Sequence, residues 1–166
     1  LRMIFDTRPC ELGEGALWHP VREQLFWFDI LNRTLLSQAD GTPLLWTFDR
    51  YVSAAGWISR EELLIASETG LVRLNLETGA QDGVADAGSP ATRSNDGRAD
   101  RQGGFWFGTM GKRAEKGAGA IWRWYKNELR LLFPGISIPN SICFAPDGRA
   151  AHFSDTVKGQ VMKVAL

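Results

Sequence analysis

Two cysteines and two histidines are all that these 166 residues offer in soft metal ligands. No thiolate or imidazole cluster can be assembled from them, and His19 and His152, far apart in sequence, read as packed or surface side chains rather than ligands. Cys10 and Cys143 read as reduced thiols, one of them buried, since Cys143 lies between Ile142 and Phe144; that usage is compatible with a cytoplasmic protein. Net charge is also missing, with 19 basic residues against 19 acidic. This argues against nucleic acid or an anionic membrane as the main partner. No apolar run approaches the roughly 18–20 residues that span a bilayer, and the start lacks a secretory apolar segment. Helical periodicity is absent too.

What the chain has instead is a repeat. The segments Phe26-Trp27-Phe28-Asp29, Leu64-Ile65-Ala66-Ser67, Trp106-Phe107-Gly108-Thr109 and His152-Phe153-Ser154-Asp155 align, and their last residues are 38, 42 and 46 apart. A period near 40 residues built from short strands is the pattern of a β-propeller, whose blades run to roughly 40–50 residues. Each unit opens with a strand (Gly15–Trp18, Ala54–Trp57, Asn140–Phe144), turns into the aligned apolar strand, and continues into an alternating one. Gly70–Leu76, Ala120–Tyr125 and Gln160–Val164 show that alternation, the mark of a half-buried strand. Asp40-Gly41 and Asp147-Gly148 read as tight hairpin turns, and Glu77-Thr78-Gly79 as a strand end. The expected fold is all-β, with at most four strands per unit and just under four units in the chain. The last unit lacks its outer strand, which predicts a single propeller domain over residues 1–166 that is truncated at its C-terminus, because an open apolar edge invites aggregation. Leu1-Arg2 reads as a remnant ahead of a native start at Met3.

Polar oxygens recur at one phase of this repeat. Glu14 lies 15 residues before Asp29, Asn95 lies 14 before Thr109, and Asn140 lies 15 before Asp155. Side chains at one phase of units arranged around an axis converge. Taken alone, Glu14 is more simply a solvated turn acid; the shared phase favours a site. One carboxylate with neutral amide oxygens is a hard donor set, suited to Ca²⁺, Mg²⁺ or Mn²⁺ and acceptable to Zn²⁺. Arg93 stands two residues before Asn95, so both side chains point to one face of a strand, where Arg93 can bind substrate hydroxyls or a carboxylate. Asp155 either orients Asn140 or caps a strand end.

Other segments carry less. The run Arg93–Asp100 superficially fits a calcium-binding loop, but with Asp96-Gly97 at its turn the required acids are replaced by Thr92, Ser94 and Gly103. Gly108-Thr109-Met110-Gly111-Lys112 lacks P-loop spacing and is followed by Arg113 where a magnesium-binding hydroxyl belongs. Lys112, Arg113 and Lys116 read as a solvated loop, and Trp122, Trp124 and Tyr125 as blade packing.

These segments resemble the SMP-30/gluconolactonase/LRE family of regucalcin-type propellers. The similarity lies in Leu12–Trp18 with Phe26–Ile30, in Arg93–Asp100 with Phe107–Met110, and in Ile138–Gly148, in the family's order. It implies a six-bladed propeller that opens sugar lactones, such as gluconolactone, with one divalent metal ion. It implies Glu14 and Asn140 as metal ligands and Arg93 and Asn95 as substrate contacts. Ala16 replaces the family's usual proline, a small change. The family's third ligand, an aspartate that is also the proposed general base, would lie about one repeat beyond Asn140, past residue 166. By resemblance, then, the catalytic base is not among these residues and the 166-residue chain alone is expected to be inactive. The other reading is a non-catalytic calcium-binding or protein-interaction propeller, which would not need Arg93 and Asn95 facing a metal.

Overall fold

The aligned apolar strand of each repeat is buried on both faces, and that burial organises the fold. The computed structural model describes residues 3–166; the reading of Leu1-Arg2 lies outside the described residues. Four antiparallel sheets follow one another along the chain. The first contains β1 (Gly13–His19), β2 (Gln24–Asp29), β3 (Thr34–Ala39) and β4 (Thr42–Thr47). The second contains β5 (Val52–Trp57), β6 (Glu62–Ser67), β7 (Gly70–Asn75) and β8 (Gln81–Asp86). The third contains β9 (Thr92–Ala99), β10 (Phe105–Gly111), β11 (Gly119–Tyr125) and β12 (Glu128–Ile136). Three strands, β13 (Pro139–Phe144), β14 (Ala150–Asp155) and β15 (Gln160–Ala165), make the fourth. Each sheet is a meander in chain order, and the arrangement is that of propeller blades. No helix among the described residues is long and apolar enough to cross a membrane.

Successive side chains of a strand point to opposite faces, so the second strand of a blade feeds two cores. Leu63 and Ile65 of β6 pack with Phe26, Phe28 and Leu35 of the first blade. Leu64 and Ala66 pack with Phe105 and Phe107 of the third. Trp106, between those two phenylalanines, turns the other way onto Ile142, Ala151 and Phe153 of the fourth. A strand that must serve both interblade cores has no solvent face, which is why these segments read as continuous apolar runs. Trp122 and Trp124 pack against the core between the second and third blades, as their blade-packing reading requires.

Three local readings are corrected. Cys143 is exposed and Cys10 only partly buried, both free; a bulge between Asn140 and Cys143 sets the register so that Ile142, 1% exposed, takes the inward place. Asp40-Gly41 is a two-residue turn with positive φ at both residues, 49° and 77°, but Asp147-Gly148 is not. There the Gly148 N–H donates to Ala145 O at 2.9 Å, closing a turn over Pro146 and Asp147, because proline holds its φ negative. Lys112 is not simply solvated: its ammonium pairs with Glu68 of the preceding blade.

Candidate functional site

The first strands β1, β5, β9 and β13 lie side by side, and the register of each on its neighbour fixes which residues are equivalent. Gly13 pairs with Asp29, Val52 with Ser67, Ser94 with Thr109 and Pro139 with Asp155. The residues immediately following, Glu14, Ser53, Asn95 and Asn140, therefore occupy one position of the repeat. The one-residue difference in counted spacing does not separate Asn95 from the others. Every one of these strands also carries a register shift at or just after this position. Bulges of this kind re-aim side chains.

Arg93, Asn95 and Asn140 are brought into direct contact. Arg93 Nη1 donates to Asn95 Oδ1 at 3.0 Å and to the Ser94 carbonyl at 2.8 Å. Asn95 Nδ2 donates to Asn140 Oδ1 and to the Pro139 carbonyl, both at 3.0 Å. Asn140 Nδ2 in turn donates to Thr156 Oγ1 at 2.8 Å. Glu14 is exposed and, among the described residues, is joined to none of them by a hydrogen bond. Burial pulls the Arg93 guanidinium below its usual range, and Tyr51 and then Glu14 act against that shift.

Glu14 and Asn140 share two local devices that Ser53 and Asn95 lack. The first is a left-handed residue directly after each, Gly15 at φ 63° and Ser141 at φ 59°. A side chain at Gly15 would meet the Ser53 carbonyl at 2.1 Å, so glycine is required there. The second is a buried aspartate that grips the approach to the strand. Asp29 accepts the N–H groups of Glu11 at 2.9 Å and Leu12 at 3.0 Å, with Asn32 Nδ2 at 2.6 Å. Asp155 accepts those of Ser137 at 3.0 Å, Ile138 at 3.1 Å and Val157 at 3.3 Å. Asp155 therefore grips backbone and does not touch the Asn140 side chain. In the other two blades, the equivalent Ser67 bonds the Gly70 carbonyl and Thr109 accepts from Trp122 Nε1.

Burial raises the affinity of Asp29 and Asp155 for a proton, but their hydrogen bonds outweigh it and both carboxyls titrate below the ordinary range. A depressed folded-state value means that stability is present above the unfolded value and lost as pH falls through the folded one. We expect Asp155→Asn to be less stable than the natural chain at pH 7 by about 1–3 kcal/mol, the gap beginning to close below about pH 4 and vanishing only at a pH below the depressed folded-state value. Urea unfolding at the two pH values measures this; an unchanged gap at low pH would refute the carboxylate clamp.

Sequence reasoning missed Ser53 and Asp96. Ser53, fully buried, donates to Ser94 Oγ at 2.7 Å, and its signal was its place 14 residues before Ser67, matching Asn95. Asp96 links the third and fourth blades by accepting the Ile142 N–H at 2.7 Å, besides Gly97 N–H at 2.8 Å, and burial pushes its carboxyl up.

A propeller with polar side chains gathered at one end of its first strands narrows the class. The chain belongs to the SMP-30/gluconolactonase/LRE-like family, which matches residues 12–166. It is 39% identical over 159 residues to a provisionally named sugar lactone lactonase of Rhizobium meliloti (strain 1021), covering 94% of this chain and 54% of that protein. It is 34% identical over 167 residues to L-arabinolactonase of Azospirillum brasilense, covering 96% of this chain and 55% of that protein. The crystal structure of regucalcin from Agrobacterium tumefaciens str. C58, described as a calcium-binding protein, superposes with a TM-score of 0.93 at 42% identity, over 97% of this chain and 56% of that one. The chain thus spans a little over half the length of these relatives.

Proposed function

We propose that the intact protein carrying this chain is a divalent-cation-dependent lactonase that hydrolyses sugar lactones. Glu14 and Asn140 would hold the cation, and Arg93 and Asn95 would bind the sugar. The observation that carries this reading is the treatment shared by Glu14 and Asn140, each set between an aspartate-gripped approach and a left-handed residue. Two positions built alike on different blades suit two ligands of one ion. The names of the relatives support the substrate class.

The donor set fits a hard cation. Glu14 keeps its carboxylate exposed, and Asn140 Oδ1 accepts one hydrogen bond and keeps a second lone pair. Arg93 is turned onto Asn95 and Ser94, so its charge is anchored by neighbours rather than laid on Asn140. A bound Ca²⁺, Zn²⁺, Mg²⁺ or Mn²⁺ supplies Lewis-acid polarisation of a lactone carbonyl. Arg93 uses only Nη1 in these contacts, which leaves Nε and Nη2 as donors to sugar hydroxyls or to the carboxylate product. Asn95 has both amide N–H groups engaged and offers a substrate hydroxyl only a lone pair on Oδ1. Holding a lactone by such contacts orients its carbonyl.

The test is acid release from aldonolactones by the intact protein, with spontaneous opening subtracted. Hydrolysis is expected to stop with chelator and to resume when a divalent ion is restored. Protein that binds the ion yet opens no lactone would instead be a non-catalytic calcium-binding propeller, the reading to which the description of its regucalcin neighbour lends weight.

A further inference from the structure

The contacts of Arg93, Asn95, Asn140 and Thr156 form one chain of hydrogen bonds, and the chain has a direction. A guanidinium only donates, so Arg93 obliges Asn95 to turn Oδ1 toward it, at 3.0 Å. The Pro139 carbonyl only accepts, and at 3.0 Å from Asn95 Nδ2 it imposes the same orientation independently. Asn95 therefore presents an N–H to Asn140, which must answer with Oδ1, at 3.0 Å. The Asn140 amide nitrogen is left on the other side, where Thr156 Oγ1 accepts at 2.8 Å. Reversing Asn140 would set two NH₂ groups against each other; the Thr156 hydroxyl can donate or accept, so Asn95 selects the orientation and Thr156 anchors it. An NH₂ cannot ligate a cation; only the oxygen can.

We propose that Thr156 is a positioning residue for cation binding, anchoring the Asn140 amide nitrogen so that Oδ1 stays on the side of Asn95 and Arg93. The proposal rests on the cation-binding reading above. Thr156 is itself held: its backbone N–H donates to the Ile138 carbonyl at 3.0 Å, and the Ile138 N–H is gripped by Asp155 at 3.1 Å. The hydroxyl thus stands on the same buried clamp that sets the approach to Asn140. Partners that orient a ligand through its other end tune metal affinity without touching the metal.

Thr156→Val is the informative change, because its second methyl fills the place of the hydroxyl and keeps water from replacing it, while Thr156→Ser retains the acceptor. Mn²⁺ titration of the intact protein is expected to give Thr156→Ser within about twofold of the natural protein and Thr156→Val about tenfold weaker. Thermal unfolding of the metal-free proteins should be the same for all three, since Thr156 is exposed. Equal Mn²⁺ affinity in Thr156→Val would overturn the proposal and leave the cation site standing. Absence of Mn²⁺ binding by the natural protein would overturn the cation reading and the proposal with it. The orientation is also read without metal: the Asn140 NH₂ protons should show nuclear Overhauser contacts to the Thr156 side chain, and contacts to the Asn95 NH₂ instead would refute the directed chain.

Discussion

Glu14→Ala in the intact protein is expected to lower lactone hydrolysis by about 100-fold or more and to remove its response to added cation. Glu14 supplies the only carboxylate of the proposed donor set within this chain; without it, neutral amide oxygens are left to hold a doubly charged ion. Its exposure and the lack of side-chain hydrogen bonds to it among the described residues mean that the fold does not depend on its carboxylate, so the unfolding midpoint without metal should not move. Glu14→Gln separates charge from size: it should fail nearly as badly, because an amide keeps the oxygen but loses the anion. Cation affinity measured beside turnover decides the matter, and undiminished affinity in Glu14→Ala would remove Glu14 from the site.

Arg93→Ala should lower kcat/KM for the lactone by about 10–100-fold, the usual range for losing one or two charge-assisted hydrogen bonds. Arg93 is partly buried and bonded to Ser94 O and Asn95 Oδ1, and Nε and Nη2 remain to meet substrate. Arg93→Lys should recover little, because an ammonium cannot hold Asn95 and a sugar hydroxyl with one planar fork. Cation affinity is expected to fall as well, through the loss of the donor that orients Asn95 and then Asn140. A variant that unfolds without a separate kinetic defect would favour a structural role for Arg93.

The blades were legible because a strand buried on both faces cannot hide. Phe26-Trp27-Phe28 and Leu63-Leu64-Ile65-Ala66 have no polar alternation to confuse with a helix or a surface strand, and their spacing states the repeat. Glu14, Asn95 and Asn140 stood out for the same reason, as polar residues 14 or 15 positions before the end of the aligned apolar strand. Ser53 has the same offset but is small and neutral, and nothing in Tyr51-Val52-Ser53-Ala54 distinguishes a buried, satisfied serine from strand filler. Cys143 failed in the other direction: apolar neighbours suggested burial, and a bulge turned Ile142 inward instead.

The sequence by itself determined the blade period, the strand order and which residue types fall at the site-bearing phase. Local chemistry suffices for these, since periodicity and turn residues act over a few positions. Only the tertiary structure decided which groups meet. That Asp155 grips backbone and leaves Asn140 to Thr156, that Asn95 bonds Asn140 of the next blade, and that Asp96 ties β9 to β13 all depend on contacts between blades or on the register of a bulged pair. Such contacts join residues roughly one repeat or more apart, or reverse on a one-residue slip, and pattern along the chain carries neither.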